Sequence, residues 1–90
     1  MQDAHDKSRE QTLREFIVES FLFGQDDGLT VEVPLLERRI LDSTGILEVI
    51  AFVSSRWGIT IDDEELLPNN FGSIRRIAAF IGRRLGEQAA

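Results

Sequence analysis

The sequence predicts an all-α fold: a four-helix bundle with three main helices, one short helix and a long loop between the first and second helices. Three apolar stripes recur at the 3.6-residue spacing of an α-helix. The 90-residue chain contains no repeat, and its single strand-like segment has no second segment to pair with. A chain of this length forms one small domain. We expect flexible termini at 1–8 and 87–90 around a folded domain at 9–86.

The first helix is predicted to begin at Ser8 and to end at Gly24, because glycine commonly terminates helices. Its apolar residues fall at i, i+3, i+4 and i+8, which is one face of a helix. They are Leu13, Phe16, Ile17 and Phe21. This face is expected to pack into the core.

The segment 25–41 is the ambiguous part of the chain. Leu29, Val31 and Val33 alternate with polar residues, which is typical of a strand. Pro34 follows at once, and no partner strand is predicted. We therefore interpret 25–41 as a long extended connection that tucks four apolar side chains under the helices, namely Leu35, Leu36, Ile40 and Leu41. Loops of this length are often functional.

Two further stripes predict the other main helices. The second helix is expected from Ser43 to Trp57, with Gly58 ending it, and the last helix is expected to open after Ser73, a good N-cap residue. Their core faces are expected to hold Ile46, Val49, Ile50, Val53 and Trp57 in one helix and Ile74, Ile77, Ala78, Ile81 and Leu85 in the other. A single helical turn is expected near 69–71 in the broken stretch between them.

The charge of the chain excludes one class of partner. The net charge is −6, with 15 acidic and 6 basic residues in 1–70 against 1 acidic and 4 basic residues in 71–90. Nucleic-acid binding needs a cationic surface, so nucleic acid is not an expected partner. The acidic surface would attract a basic protein, or it simply keeps a small protein soluble; both interpretations stay open.

The composition also bears on location. No apolar run approaches the ~20 residues that span a bilayer, and the first ten residues lack the layout of a signal peptide. There is no cysteine for a disulfide or a thiolate metal site. We expect a monomeric cytoplasmic protein without membrane contact. The initial Met and the ending GEQAA lead us to expect a complete, stand-alone chain.

Catalytic groups are scarce. The only histidine, His5, lies near the N-terminus, so Ser43 has no evident base to make it a nucleophile. Residues 62–65 crowd four carboxylates but lack the frame of a calcium loop. The glycines are scattered singly, so no phosphate-binding loop is present. We therefore expect neither an enzyme nor a metal site.

The stretch DSTG, residues 42–45, opens the second helix and has two interpretations. Asp42 or Ser43 caps the helix, since Asp and Ser are preferred at that position. Alternatively, the Ser43 hydroxyl carries a covalently attached group. A full capping box is missing, because Ile46 stands three residues after Ser43 where Glu or Gln is needed.

The surrounding window, residues 35–66, resembles the phosphopantetheine-attachment region of acyl and peptidyl carrier proteins. The resemblance rests on a leucine-rich approach, an Asp-Ser pair, a Glu five residues after the Ser, an aromatic-Gly-Ile ending and an Ile before an acidic turn; the Leu that usually follows the Ser in the family is replaced by Thr44 here. Those places are filled, without a gap, by Asp42, Ser43, Glu48, Trp57, Gly58, Ile59, Ile61 and the acidic turn 62–65. The order of the flanking helices also fits that family, so the resemblance covers nearly all of residues 10–86.

The resemblance implies a specific chemistry. A phosphopantetheinyl transferase, with magnesium in its own site, would attach the 4′-phosphopantetheine of coenzyme A to Ser43. Asp42 would contribute to the encounter with that transferase. The thiol of the arm would then hold an acyl or aminoacyl group as a thioester for downstream biosynthetic enzymes. Gly45 would leave room for an approaching enzyme.

A second stripe on the second helix is a candidate docking surface. Its residues are Thr44, Leu47, Ala51 and Ser54, with Glu48 beside them. In carriers of fatty acid synthesis, the corresponding helix tends to carry a row of carboxylates. The second helix of this chain has Glu48 alone. That difference favours a stand-alone carrier loaded by an adenylating ligase in specialised metabolism. Phe52, outside both stripes, is expected to pack in the interior instead of lining a channel.

The alternative is a helical interaction domain that is never modified. The two hypotheses differ on Ser43: a carrier needs its hydroxyl free and accessible, whereas an adaptor would lose only a capping contribution of about 0.5–2 kcal/mol on its replacement. The sequence leaves the cargo open between an amino acid, a fatty acyl group and a polyketide.

Overall fold

The computed structural model of the protein describes residues 4–25 and 28–86, with side chains described from residue 7 onwards. Its helices are α1 (Ala4–Phe21), α2 (Ser43–Trp57), α3 (Pro68–Phe71) and α4 (Ile74–Arg84), with a 3₁₀ turn at Asp63–Glu65 before α3. The described ranges contain no strand. The predicted all-α bundle of three main helices and one short helix is confirmed. Of the predicted flexible ends 1–8 and 87–90, residues 1–3 and 87–90 lie outside the described residues, and the helix α1 begins at Ala4.

The core lies where the three long helices meet. Its fully buried members include Leu13, Ile17, Val49, Val53, Ile77 and Ile81, two from each long helix. All six belong to the predicted stripes. Leu85 was predicted on the same face of the last helix, and that prediction is wrong: Leu85 is 39% exposed, because it is the C-cap residue and lies beyond the last turn of α4.

The predicted helix boundaries agree with the structure for α2 and for the start of α4, but not for the start of α1. The bounds of α2 agree with the prediction, and Ser73 caps α4 by accepting from the Arg76 N–H at 3.3 Å. In contrast, α1 begins at Ala4, ahead of the predicted start at Ser8. The first turn of α1 carries no apolar stripe, so the periodicity of buried residues could not detect it.

The long loop between α1 and α2 is fastened to the other end of the chain. The Leu35 N–H donates to the Gly72 carbonyl at 2.9 Å, and the Arg75 N–H donates to the Val31 carbonyl at 2.8 Å. Three loop leucines are buried, namely Leu29, Leu35 and Leu41. These bonds and buried side chains hold the described part of the loop against the helices. They take the place of the strand pairing that its alternating sequence would otherwise need.

Leu36 was expected in the core, and that prediction is wrong, because its side chain is 50% exposed. Residues 34–38 form a helical turn in which the Arg38 N–H donates to the Pro34 carbonyl at 3.0 Å. Successive side chains on such a turn diverge by about 100°. Leu35 points inward with no exposed surface, so Leu36 points outward.

The four arginines of α4 join this helix to the segments around it. Arg75 forms ion pairs with Glu10 and Glu32, and Arg84 forms one with Glu65. Arg76 and Arg83 donate to the side chains of Asn69 (3.1 Å) and Asn70 (2.9 Å), which are in α3. The basic end of the chain is therefore occupied with internal contacts.

Glu65 should make the stability of the protein fall in acid. Its carboxylate accepts from the Asp62 N–H at 2.9 Å and from Arg84, and both bonds hold its pKa below the ordinary value of 4.5. A lowered folded-state pKa stabilises the fold above the unfolded-state pKa, and this contribution is lost as the pH falls through the folded-state value. Glu65→Gln should therefore be less stable than the wild type in urea unfolding at about pH 7, and the difference should be smaller at about pH 3. An unchanged gap between the two proteins at both pH values would contradict this.

Candidate functional site

Asp42, and not Ser43, caps α2. The Asp42 backbone is extended, and its Oδ1 accepts from the Gly45 N–H at 2.7 Å. The Asp42 carbonyl accepts from the Ile46 N–H at 2.9 Å, which is the first hydrogen bond of the helix. Asp42 therefore provides the helix cap that was one interpretation of DSTG. Capping does not require the Ser43 hydroxyl.

Ser43 is the first residue of α2, and its side chain is exposed. Its hydroxyl makes no hydrogen bond with any residue that the structure describes. The N–H groups of Ser43 and Thr44 likewise have no acceptor within residues 4–25 and 28–86, as is usual in the first turn of a helix. Those two donors and the positive end of the helix dipole favour a negatively charged group on Ser43. The site thus fits a phosphodiester such as the one that attaches phosphopantetheine.

Gly45 has a packing role that differs from the expected one. It is buried, and a Cβ placed there would lie 3.1 Å from Phe21 Cε1 and 3.4 Å from Leu41 Cδ2. The missing side chain therefore lets the end of α1 pack against the start of α2. Room for an approaching enzyme is not what the glycine provides, because it faces the interior.

Most of the predicted docking residues are exposed on the outer side of α2. Thr44, Leu47, Glu48 and Ala51 are all exposed, and Leu47 keeps 59% of its surface in solvent. Ser54 differs, because it is half-buried and its hydroxyl donates to the Ile59 carbonyl at 2.6 Å. Ser54 thus has a structural role at the end of α2, where it ties the following segment to the helix.

Phe52 is half-buried and packs against the core, as expected, with its ring on Phe16 of α1. Its ring stacks on Phe16 at a centroid distance of 4.1 Å and meets Trp57 edge-on at 6.0 Å. Phe16 also meets Phe21 edge-on at 6.0 Å. These four rings fill the space between α1 and α2 and fix the position of the helix that carries Ser43.

A surface groove of about 580 Å³ runs beside α2, between the long loop and α3. Its apolar lining includes Leu36, Ile46, Leu67 and Phe71, and Arg76 stands at its edge. Ile46 is three residues from Ser43, so the groove begins one turn from the serine. Sequence reasoning missed this groove, because its walls come from three separate segments. Leu36 and Leu67, which line it, are exposed in the structure, but no pattern in the sequence marks them as such.

Other kinds of site find no support in the part of the chain that the structure describes. It shows no group of three or more His, Asp or Glu side chains placed to hold a metal ion. None of the described helices is long and apolar enough to cross a membrane. The side chain of His5 is outside the described set.

Known proteins similar to this chain were found by sequence and by structure, although no family model matches it. The chain is 32% identical over 74 residues to a probable acyl carrier protein, PigG, from Serratia sp. (strain ATCC 39006). That match covers 82% of this chain and 85% of the relative. Among solved structures, the chain is similar to one chain of the crystal structure of an FAD-dependent dehydrogenase. The TM-score is 0.70 and the identity 33%, over 77% of this chain and 97% of the other.

Proposed function

The chain belongs to the acyl carrier protein family, and on that premise we propose that it carries acyl or aminoacyl groups on a 4′-phosphopantetheine arm attached to Ser43. It is a carrier and not an enzyme. The observation that supports Ser43 most directly is its exposed hydroxyl, which has no partner among the described residues, beside an aspartate that already caps the helix. The arm ends in a thiol, which would hold the carried group as a thioester.

The attachment reaction uses only the Ser43 hydroxyl of this chain. Its Oγ attacks the phosphorus of coenzyme A that bears the pantetheine half, so an Oγ–P bond forms and the P–O bond of the pyrophosphate breaks. The leaving group is 3′,5′-ADP, and the hydroxyl proton passes to a base on the transferase or to water. Ser43 needs no base from its own chain, since the transferase catalyses this step.

The first turn of α2 stabilises the product of this reaction. The phosphodiester is anionic, and the N–H groups of Ser43 and Thr44, which have no acceptor in the part of the chain that the structure describes, can donate to it. Asp42 offsets part of this benefit by its own charge, but its Oδ1 is committed to the Gly45 N–H. We assign Asp42 to the encounter with the transferase as well as to the cap.

Two partner classes act on the arm in this proposal. An adenylating ligase loads the carrier for specialised metabolism, which is supported by the sparse charge of α2: Glu48 is its only acidic residue. An FAD-dependent dehydrogenase is the second class. The support is a chain in the crystal structure of such an enzyme that is similar to this chain over 97% of its own length, so that it is a short chain like this one. We place the protein in the cytoplasm, where its substrate coenzyme A is available, and we propose that it acts as a monomer.

Intact mass spectrometry tests the proposal. The protein is incubated with coenzyme A, magnesium and a promiscuous phosphopantetheinyl transferase, beside Ser43→Ala. One phosphopantetheine should be added to the wild type and none to the variant. No addition to a folded wild type would refute the carrier function at Ser43 and favour the unmodified interaction domain.

Leu47 should be an anchor of the docking surface formed by Thr44, Leu47, Glu48 and Ala51. An exposed leucine on an otherwise small and polar face is the side chain that a partner can bury with most gain. Leu47→Ala should lower kcat/KM for modification by the transferase by a factor of about 10 or more, with the free energy of unfolding changed by less than about 0.5 kcal/mol.

Leu85→Ala is the matched control for that experiment, because Leu85 is also a partly exposed leucine but lies at the end of α4. It should leave kcat/KM unchanged. Equal kcat/KM for the Leu47 and Leu85 variants would rule out Leu47 as an anchor for the transferase.

A further inference from the structure

Two arginines at the end of the long loop differ from the arginines of α4. Arg38 and Arg39 are exposed, and neither makes an ion pair or a side-chain hydrogen bond with any described residue. All four arginines of α4, in contrast, contact acidic or amide side chains. A free pair of guanidinium groups is a distinct feature on a chain of net charge −6.

Arg39 also occupies a backbone conformation that favours glycine. Its φ is 59°, in the left-handed region. It ends the helical turn of residues 34–38, after which the N–H groups of Ile40 (3.0 Å) and Leu41 (3.2 Å) both donate to the Leu35 carbonyl. Glycine is the usual residue at such a turn end, and another residue there costs about 1 kcal/mol or more. The stability of the turn therefore does not account for an arginine at this position.

Phe23 repeats this combination at the end of α1. Its φ is 54°, and 91% of its side-chain surface is exposed. The chain turns there through a bond of 2.9 Å from the Gly24 N–H to the Val18 carbonyl. Phe23 and Arg39 are the two non-glycine residues with positive φ in the described ranges 4–25 and 28–86. Packing does not offset the strain of this conformation at Phe23, because the residue is exposed. The stability of the fold therefore does not account for an aromatic residue here.

These residues lie at the end of the bundle that presents Ser43. Arg38, Arg39 and Leu22, the neighbour of Phe23, line one concavity of about 250 Å³. The end of α1 reaches the start of α2, where Phe21 Cε1 is 3.1 Å from the position of a Gly45 Cβ. We call Phe23, Arg38 and Arg39 the arginine-aromatic patch. Arg39 precedes Ser43 by four residues, so a molecule reacting at Ser43 comes within reach of its side chain.

The chemistry of the patch matches one half of a substrate that reacts there. Guanidinium groups bind phosphates through two parallel hydrogen bonds, and an exposed aromatic ring stacks on a nucleobase. Coenzyme A brings both features in its 3′,5′-ADP half, which must lie close to Ser43 during the transfer. The acidic remainder of the chain repels such a polyanion, so two free arginines at this place offset that repulsion.

We propose that the arginine-aromatic patch binds the 3′,5′-ADP half of coenzyme A while a transferase presents the cofactor to Ser43. This inference rests on the proposed function. In the complex, Arg38 and Arg39 contact the phosphates, including the 3′-phosphate, and the Phe23 ring contacts the adenine. The patch is thus a substrate contact contributed by the carrier, apart from the docking surface on α2.

A transferase that accepts both coenzyme A and 3′-dephospho-coenzyme A tests the proposal. The double variant Arg38→Ala/Arg39→Gly should fold, since glycine relieves the left-handed position. Its kcat/KM for modification should fall about tenfold with coenzyme A and change less than about twofold with the dephospho form. Arg56→Ala, which removes an exposed arginine from the far end of α2, should leave both values unchanged.

Amide chemical shifts of the carrier alone give a second readout. Addition of 3′,5′-ADP should move the signals of residues 38–41 in the wild type and not in the double variant. Equal kinetic effects of the double variant on both donors, or none on either, would overturn the proposal; equal loss would assign the arginines to acidic groups of the transferase. Failure of the wild type to accept either donor would instead refute the proposed function.

Discussion

Ser43→Ala is expected to abolish attachment of phosphopantetheine while changing the free energy of unfolding by less than about 0.5 kcal/mol. The reason is that different residues serve as the helix cap and as the nucleophile at the start of α2. The Asp42 carboxylate caps the helix at 2.7 Å from the Gly45 nitrogen, and the Ser43 hydroxyl is exposed without a partner in the described residues. Removing the hydroxyl removes the nucleophile and no structural contact.

Asp42 supplies the reciprocal control. Asp42→Ala removes the cap and should destabilise the protein by about 0.5–2 kcal/mol, while Asp42→Asn keeps a capping oxygen and should lose less. Both variants retain the Ser43 hydroxyl and should still be modified, but at a lower rate, because we assign Asp42 to the transferase encounter. Urea unfolding measures the first effect and intact mass over time the second. A Ser43→Ala variant as unstable as Asp42→Ala would contradict the assignment of the cap to Asp42 alone.

The second large effect is expected in the long loop, where adjacent leucines should respond in opposite ways. Leu35→Ala should cost about 2–5 kcal/mol, because the Leu35 side chain is fully buried and its removal leaves a cavity. Leu36→Ala should cost less than about 0.5 kcal/mol, because half of the Leu36 surface is exposed. The two variants delete the same atoms from neighbouring positions, so each is the control for the other.

Urea unfolding of the two variants measures how firmly the loop is held. The loop is joined to the rest of the fold by the bond from the Leu35 N–H to the Gly72 carbonyl and by the burial of Leu35 itself. A loss at Leu35 of the size of a core substitution would show that the loop unfolds together with the helices. Similar small losses in both variants would mean that the loop is not part of the cooperative core.

The helices could be predicted from the sequence because their signals are local. Apolar spacing of 3.6 residues placed α2 at Ser43–Trp57 and marked the buried faces of all three long helices. Ser73 as a cap and the short turn before it were also predicted correctly. The resemblance of residues 35–66 to carrier proteins agrees with the family to which the chain belongs. Ser43 as the attachment residue stays a prediction until the modification is measured.

Tertiary structure decided what local patterns leave open. The sequence allowed either Asp42 or Ser43 to cap α2, and the orientation of the Asp42 side chain settled it. Gly45 was interpreted as space for an enzyme, but the packing of Phe21 against it gives it an interior role. Neither the groove of about 580 Å³ nor the arginine-aromatic patch follows from periodicity. Each joins residues that are distant in sequence, and only the packing of the loop against the helices brings them together.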